Sequence, residues 1–179
     1  MWLCYLAYWR AVSMDVKASV RSESVSSRMT RLVSIVAAIA LLWLPQVPLS
    51  FLNERYLPAG IACFWSGSAV TAGGLLFSIW ARNYLGKNWS QEVSIKKDHE
   101  LVSGGPYALV RHPIYTGLLT AFVGSAIALG EWRGVVAAAL VFGVLWHKLK
   151  LEEKWLREEF GESYESYCRR VAALVPFVI

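Results

Sequence analysis

"LPAGIACFWSGSAVTAGGLLFSIW", residues 57–80, carries no charged side chain over 24 positions. A helix needs about 20 apolar residues to cross the hydrocarbon core of a bilayer, so this stretch is long enough to span one. Its small residues, Ala59, Gly60, Ser66, Gly67, Ser68, Ala69, Ala72, Gly73 and Gly74, let two helix backbones approach closely. We read them as a packing face rather than a ligand site.

Three more apolar runs lie outward from it: Leu32 to Leu52, Ile114 to Gly130 and Gly134 to Leu149. The first of these also reaches spanning length, and the other two fall near the lower limit of about 17 residues. The expected architecture is an all-α integral membrane protein of about four spans. A hydrophobic content of 56% is high for a soluble domain and agrees with it. Charge placement orients the spans, because short cytoplasmic loops collect Lys and Arg. Of 18 such residues, only Arg55 and Arg133 fall in the loops joining spans one to two and three to four. Both termini and the 82–113 loop are therefore expected on the cytoplasmic side. The net charge of +5 then has a sufficient partner in anionic membrane lipids, without nucleic acid.

"MWLCYLAYWRAV" at the N-terminus is apolar but too short to span, and it has no basic start or small-residue cleavage pattern of a signal peptide. The Ser-rich, basic stretch after it reads as mobile, so residues 1–31 are expected to form a cytoplasmic tail, and Met14 or Met29 could serve as the start. Cys4, Cys63 and Cys168 are odd in number and scattered, which argues against a disulfide framework. His99, His112 and His147 have no metal-ligand spacing. We expect no metal.

Pro45 and Pro48 should kink the first span or end it early. Only Glu131, Trp132 and Arg133 join spans three and four, so those two should form a tight antiparallel hairpin. In the 82–111 loop, Glu92 to Ile95 and Glu100 to Ser103 could pair as short strands. Gly104, Gly105 and Pro106 mark a turn. After span four, "WHKLKLEEKWLREEFGESYESYCRRV" is expected to form a cytoplasmic amphipathic helix. On a helical projection Phe142, Leu145, Trp146, Leu149, Leu156, Phe160 and Tyr164 share one stripe, and Glu153 falls inside it. A carboxylate on an apolar face needs a partner, so Glu153 demands an explanation. Lys148 and Glu152 read as an ordinary i,i+4 pair.

Proline disfavours helix for the residue before it and is tolerated in a first turn. His112 should therefore lie just outside span three and Pro113 just inside. The unpaired N–H groups of that helix start suit an anionic group. Arg111, His112, Tyr107 and Tyr115 crowd the same point.

His99-Glu-Leu-Val102, Gly105-Pro-Tyr107 and Arg111-His-Pro-Ile-Tyr115-x-Gly117 are followed after the hairpin by Glu152-Glu153, Phe160-Gly-Glu and Tyr164-x-x-Tyr167. This combination resembles the isoprenylcysteine carboxyl methyltransferase family, and the membrane phospholipid N-methyltransferases share part of it. It covers about residues 82–179. The resemblance implies a membrane enzyme that uses S-adenosylmethionine at the cytoplasmic face, in a pocket closed by the C-terminal helix. Carried over by position, His99, Glu100, Leu101, Val102, Tyr107, His112, Pro113, Ile114, Tyr115 and Glu153 would line the cofactor site. Arg111, Lys148 and Lys150 are the candidates for the acceptor. The family's arginine one turn before the glutamate, which holds the substrate carboxylate, is Leu149 here. A methyl sulfonium is already activated and a carboxylate already ionised, so alignment and exclusion of water could supply most of the rate, with no general base. The lipophilic acceptor would enter from the bilayer. Alternatives are N-methylation of a phospholipid or other amine, an NADPH-dependent oxidoreductase of the sterol-reductase type, and a non-enzymatic membrane protein.

Overall fold

The computed structural model describes residues 1–12, 24–86 and 101–176. Its regular structure is helical: α1 (Trp2–Val12), α2 (Val25–Trp43), α3 (Ile61–Leu85), α4 (Pro113–Leu129), α5 (Trp132–Phe160) and α6 (Glu162–Arg170), with 3-10 turns at Ser50–Asn53 and Gly105–Ala108. Among the described residues β pairing is limited to one isolated bridge, Arg55 to Glu131. Helices α2, α3 and α5 are long and apolar enough to cross a membrane, and α4 is apolar but shorter at 17 residues.

Several boundaries depart from the expectations. Residues 2–12 are helical rather than part of a mobile tail, and α2 starts at Val25 rather than Leu32. The helix stops at Trp43, short of Leu52, because Pro45 and Pro48 cannot donate backbone hydrogen bonds and displace the residues before them from helical geometry. Asn53 then ties the loop, accepting from the Val47 N–H at 3.1 Å and donating to the Val47 carbonyl at 2.9 Å. The segment expected as a separate amphipathic helix continues α5 without a break to Phe160. Between Lys148 and Phe160 there is no Gly or Pro, and Leu, Glu, Lys and Arg dominate, all good helix formers. Gly161, at φ +51°, provides the left-handed residue that ends it. Of the projected stripe, Leu145, Leu149 and Glu153 are buried, whereas Phe142 and Trp146 are exposed. Of the expected strand pieces, Glu92 to Ile95 and Glu100 lie outside the described residues, and Leu101 to Ser103 are not a strand.

The chain divides into two compact units. In the unit of Val25–Leu76 and Gly117–His147, the small residues of α3 meet those of α4. A Cβ on Gly74 would lie 2.5 Å from the Gly117 carbonyl oxygen and 2.6 Å from the Ala121 nitrogen. The Thr71 hydroxyl, between them, reaches the Gly67 carbonyl at 2.9 Å and the Ala121 carbonyl of α4 at 3.3 Å. The spacing Gly67, Thr71, Gly74 against Gly117, Ala121, Gly124 puts one small residue per turn at the seam, the arrangement by which apolar helices associate through backbone contact. Helices α4 and α5 also approach closely, since a Cβ on Gly134 would stand 2.8 Å from the Ala126 Cα.

In the same unit two arginines satisfy carbonyls at helix ends, groups that otherwise lack partners. Arg55 donates to the carbonyl of Leu129, the last residue of α4, at 3.1 Å. Arg133 donates to the Leu44 carbonyl just past α2 and pairs with Glu131 at 2.7 Å. Arg133 is 5% exposed. Its replacement by Met keeps the apolar stem but orphans both partners, and should cost about 1–3 kcal/mol. Thermal unfolding in detergent checks this, and an unchanged midpoint would show that the cap is dispensable.

In the unit of Met1–Ser24, Phe77–Thr116 and Lys148–Ile179, α1 lies on the end of α3. Tyr5 and Ser78 hydroxyls hydrogen-bond at 2.8 Å, and the Tyr8 hydroxyl donates to Asn83. Buried Arg82 donates to the carbonyls of Gly86, at 2.9 Å, and Val12, at 3.1 Å, and so caps both helices. Tyr84 lies across the turn after it. A Cβ on Gly105, whose φ is +58°, would fall 2.6 Å from that ring. Glycine is needed there both for its backbone conformation and for space.

Candidate functional site

Pro113 opens α4, and the His112 carbonyl accepts the Thr116 N–H at 3.0 Å, so His112 is the residue just outside the helix. The chain after α6 runs beside this entry. The N–H groups of Arg111 and His112 donate to the carbonyls of Ala172 and Ala173 at 2.8 and 3.0 Å, and the Thr116 hydroxyl donates to Leu174 at 2.7 Å. The Tyr167 hydroxyl donates to the Tyr107 carbonyl at 2.5 Å. The C-terminal segment thus holds the residues that precede α4.

Two successive carboxylates of α5 face this entry. Glu153, 2% exposed, receives Nε and Nη2 of Arg111 on one oxygen at 2.9 and 2.6 Å, and Arg157 on the other at 3.2 Å. Its partner is a cation 42 positions away in sequence. Arg111 also donates to the carbonyls of Cys168, at 3.2 Å, and Val171. Burial works against the charge of Arg111, but the hydrogen bonds and charge of Glu153 outweigh it and raise its pKa above the ordinary guanidinium value. Glu152, on the neighbouring position, accepts the Tyr115 hydroxyl at 2.6 Å and lies 3.7 Å from the Lys148 ammonium.

His112 sits between the two. Its Nδ1 is 3.6 Å from Glu152 and its Nε2 is 3.6 Å from Glu153, distances too long for hydrogen bonds. The ring stacks on Tyr115, centroids 5.4 Å apart and 4° from parallel. Nε2 of His112 and the hydroxyl of Tyr164 are buried with no hydrogen-bond partner among the described residues. Burial pushes the Tyr164 hydroxyl well above its usual pKa, so it is a donor at any ordinary pH. Two buried polar atoms lacking partners mark a place where a ligand's polar groups, or water, can be received.

Of the expected site residues, Tyr107, Arg111, His112, Pro113, Ile114, Tyr115 and Glu153 all belong to this unit, and Lys148 joins them through Glu152 and the Tyr115 ring. Lys150 is exposed, while Leu101 and Val102 are half-buried. Leu101 lines an open cleft of about 530 Å³ with Glu162, Ser163, Ser166, Arg169 and Arg170. His99 and Glu100 lie outside the described residues. Sequence reasoning missed Glu152 and Arg157. The i,i+4 spacing of Glu153 and Arg157 was the available signal for the second, whereas the Tyr115 bond to Glu152 had none.

A model of the phospholipid methyltransferase family matches residues 62–163, more than half of the chain. The chain belongs to the phospholipid methyltransferase family. This bears out the family resemblance read from residues 99–167. The chain is also similar to protein-S-isoprenylcysteine O-methyltransferase of Schizosaccharomyces pombe, with 28% identity over 96% of this chain and 68% of that protein. Protein-S-isoprenylcysteine O-methyltransferase B of Arabidopsis thaliana is 33% identical over 52% of this chain and 49% of its own length. The chain therefore spans about half of that second relative. A solved structure of the eukaryotic intramembrane Ras methyltransferase, isoprenylcysteine carboxyl methyltransferase, aligns over 89% of this chain and 55% of its own, at 24% identity and a TM-score of 0.48. The family match spans most of α3, all of α4 and α5 and the start of α6, and so takes in Arg111, His112, Tyr115, Glu152 and Glu153.

Proposed function

We propose that this chain is an integral-membrane methyltransferase that uses S-adenosylmethionine to methylate the carboxylate of a lipophilic, isoprenylcysteine-like acceptor. The observation that carries the reading is the pair of buried polar atoms without a hydrogen bond among the described residues, His112 Nε2 and Tyr164 Oη, beside Glu152 and Glu153, with His112 and both carboxylates inside the stretch matched by the family and Tyr164 next to its end. The names of the relatives support the reaction, and the apolar helices support the setting. In this reading α2, α3, α4 and α5 are four spans, α4 and α5 form the hairpin, and both termini and the site face the cytoplasm. The catalytic region is 82–179.

The donor set fits the cofactor. Its ammonium and ribose hydroxyls are donors, suited to Glu152 and Glu153, and its carboxylate and the ring nitrogens of its adenine are acceptors, suited to His112, Tyr164 and the first N–H groups of α4. Tyr107, Pro113, Ile114 and Tyr115 would provide the aromatic and apolar walls, with His99 to Val102 beyond them. When bound, S-adenosylmethionine supplies a methyl group on a cationic sulfur. The work left to the chain is to align the acceptor and exclude water, since a carboxylate nucleophile has no proton to lose. His112 and Tyr115, packed against each other, would fix one wall of that alignment. Arg111 holds Glu153 in place.

An amine acceptor, suggested by the name of the family model, would require a proton acceptor, and His112 between Glu152 and Glu153 is placed for that role. Labelled methyl transfer into membrane extract separates the two, because an ester product is released by alkali and a methylated amine is not. We expect a base-labile product. Replacing His112 with Ala should weaken cofactor binding at least about tenfold, the value of one hydrogen bond involving a charged group. Calorimetry in detergent checks this, and binding at full strength would remove His112 from the site.

A further inference from the structure

Helix α6 has two faces with different tasks. The inner one carries the buried Tyr164 and Tyr167. The outer one supplies Glu162, Ser163, Ser166, Arg169 and Arg170, which with Leu101 line the open cleft of about 530 Å³. Steps of one, four, seven and eight residues from Glu162 keep these side chains on one side of the helix. Arg170 Nε donates to the Ser166 carbonyl at 3.2 Å. Beyond that bond, the side chains of Ser163, Ser166, Arg169 and Arg170 have no hydrogen bond or ion pair among the described residues. Glu162, the one carboxylate, starts α6, about 10 Å of helix rise from Arg169. Two guanidiniums close the other end, and the negative pole of the helix, about half a charge, does not cancel them.

The course of the chain sets the level of this cationic end. Helix α5 has 29 residues, about 43 Å of rise against a hydrocarbon core of about 30 Å, so its C-terminal end stands clear of the core. The chain turns at Gly161 and α6 follows. Arg169 and Arg170 end α6, and Ala172 and Ala173 already accept the N–H groups of Arg111 and His112, just before α4 begins. Three residues span at most about 10 Å, so both arginines lie close to the level at which α4 enters the apolar layer, and their long side chains extend that reach. Lipid phosphates lie at this level. A guanidinium matches phosphate oxygens in a planar, two-bond geometry, and hydroxyls add further donors.

We propose that this cleft is a binding site for the phosphate group of an anionic membrane phospholipid, with Arg169 and Arg170 clasping its oxygens and Ser163 and Ser166 adding hydroxyl donors. An occupied cleft would hold the outer face of α6 to the membrane surface while its inner face serves the site around His112. The proposal rests on α4 being a span, and not on the methyl acceptor. The full chain in uncharged detergent is titrated with phosphatidylglycerol and with diacylglycerol of the same acyl chains, and retained lipid is counted by native mass spectrometry. The wild type should bind phosphatidylglycerol at least about tenfold tighter, the value of one charge-assisted hydrogen bond. Arg169→Gln with Arg170→Gln should abolish the preference. So should Ser163→Asp, which adds a carboxylate to the cleft and leaves both arginines. Lys150→Gln with Lys154→Gln removes the same charge from exposed positions of α5 and should keep it. A wild type without preference, a preference that survives in the arginine variant, or one lost equally in the lysine variant overturns the proposal. Displacement of the lipid by an equimolar amount of inorganic phosphate would also overturn it, assigning the cleft to a free anion and leaving the methyltransferase reading untouched.

Discussion

Arg111→Ala should be the most damaging single change in the C-terminal half of the chain. It leaves the Glu153 carboxylate, whose side chain is 3% exposed, with Arg157, itself 41% exposed, and the more distant His112 ring at 3.6 Å. Removing one member of a buried ion pair costs about 3–5 kcal/mol, because the remaining charge stays desolvated. The same guanidinium holds the Cys168 and Val171 carbonyls. The segment after α6 should therefore loosen, and faster hydrogen exchange at residues 171–174 would report it. Thermal unfolding in detergent gives the stability, and a midpoint equal to wild type would show that Glu153 finds another partner. The double variant Arg111→Ala with Glu153→Gln should recover part of the loss, since it removes the stranded charge. Arg111→Lys should fall between, as an ammonium cannot reproduce two bonds to one carboxylate oxygen and two carbonyl contacts together.

Gly124→Leu should have the largest effect among the apolar helices. The backbone and hydroxyl of Thr71 and the Gly67 carbonyl occupy the space of a side chain there, and even a Cβ would lie 2.7 Å from the Gly67 oxygen. A bulky residue must push α3 and α4 apart, which also breaks the Thr71 contact to Ala121. Overpacking of this kind costs about 1–3 kcal/mol or more, and without a hydrophobic driving force between helices in lipid, little opposes separation. Gly124→Ala should give a smaller drop. Gly73→Leu is the control, because nothing lies within 4 Å of its Cβ position. Equal midpoints for Gly124→Leu and Gly73→Leu would refute the seam.

Both results turn on contacts of different legibility. The seam was half visible, since the run of small residues in 57–80 announces a packing face, but nothing in it names Gly117, Ala121 and Gly124 as the facing set. Glu153 was visible as a misfit on its helix. That misfit has a partner within the chain, Arg111, so the ligand-bearing signal shifts from Glu153 to His112 Nε2 and Tyr164, whose lack of partners no sequence pattern reports.

By itself the sequence determined the apolar helices and several of their ends: the long run of α3, the stop before Pro45, the turn at Gly104 to Pro106, and the start at Pro113 with His112 just outside. These follow from local rules, the missing N–H of proline, the left-handed freedom of glycine and the thickness of a bilayer, which act within a few residues or one helix. Only the tertiary structure decided that α5 carries Glu152 to Tyr115 and Glu153 to Arg111, and that residues 171–174 pair beside the entry to α4. Such pairings depend on the register of segments far apart in the chain, which packing sets and no local preference encodes.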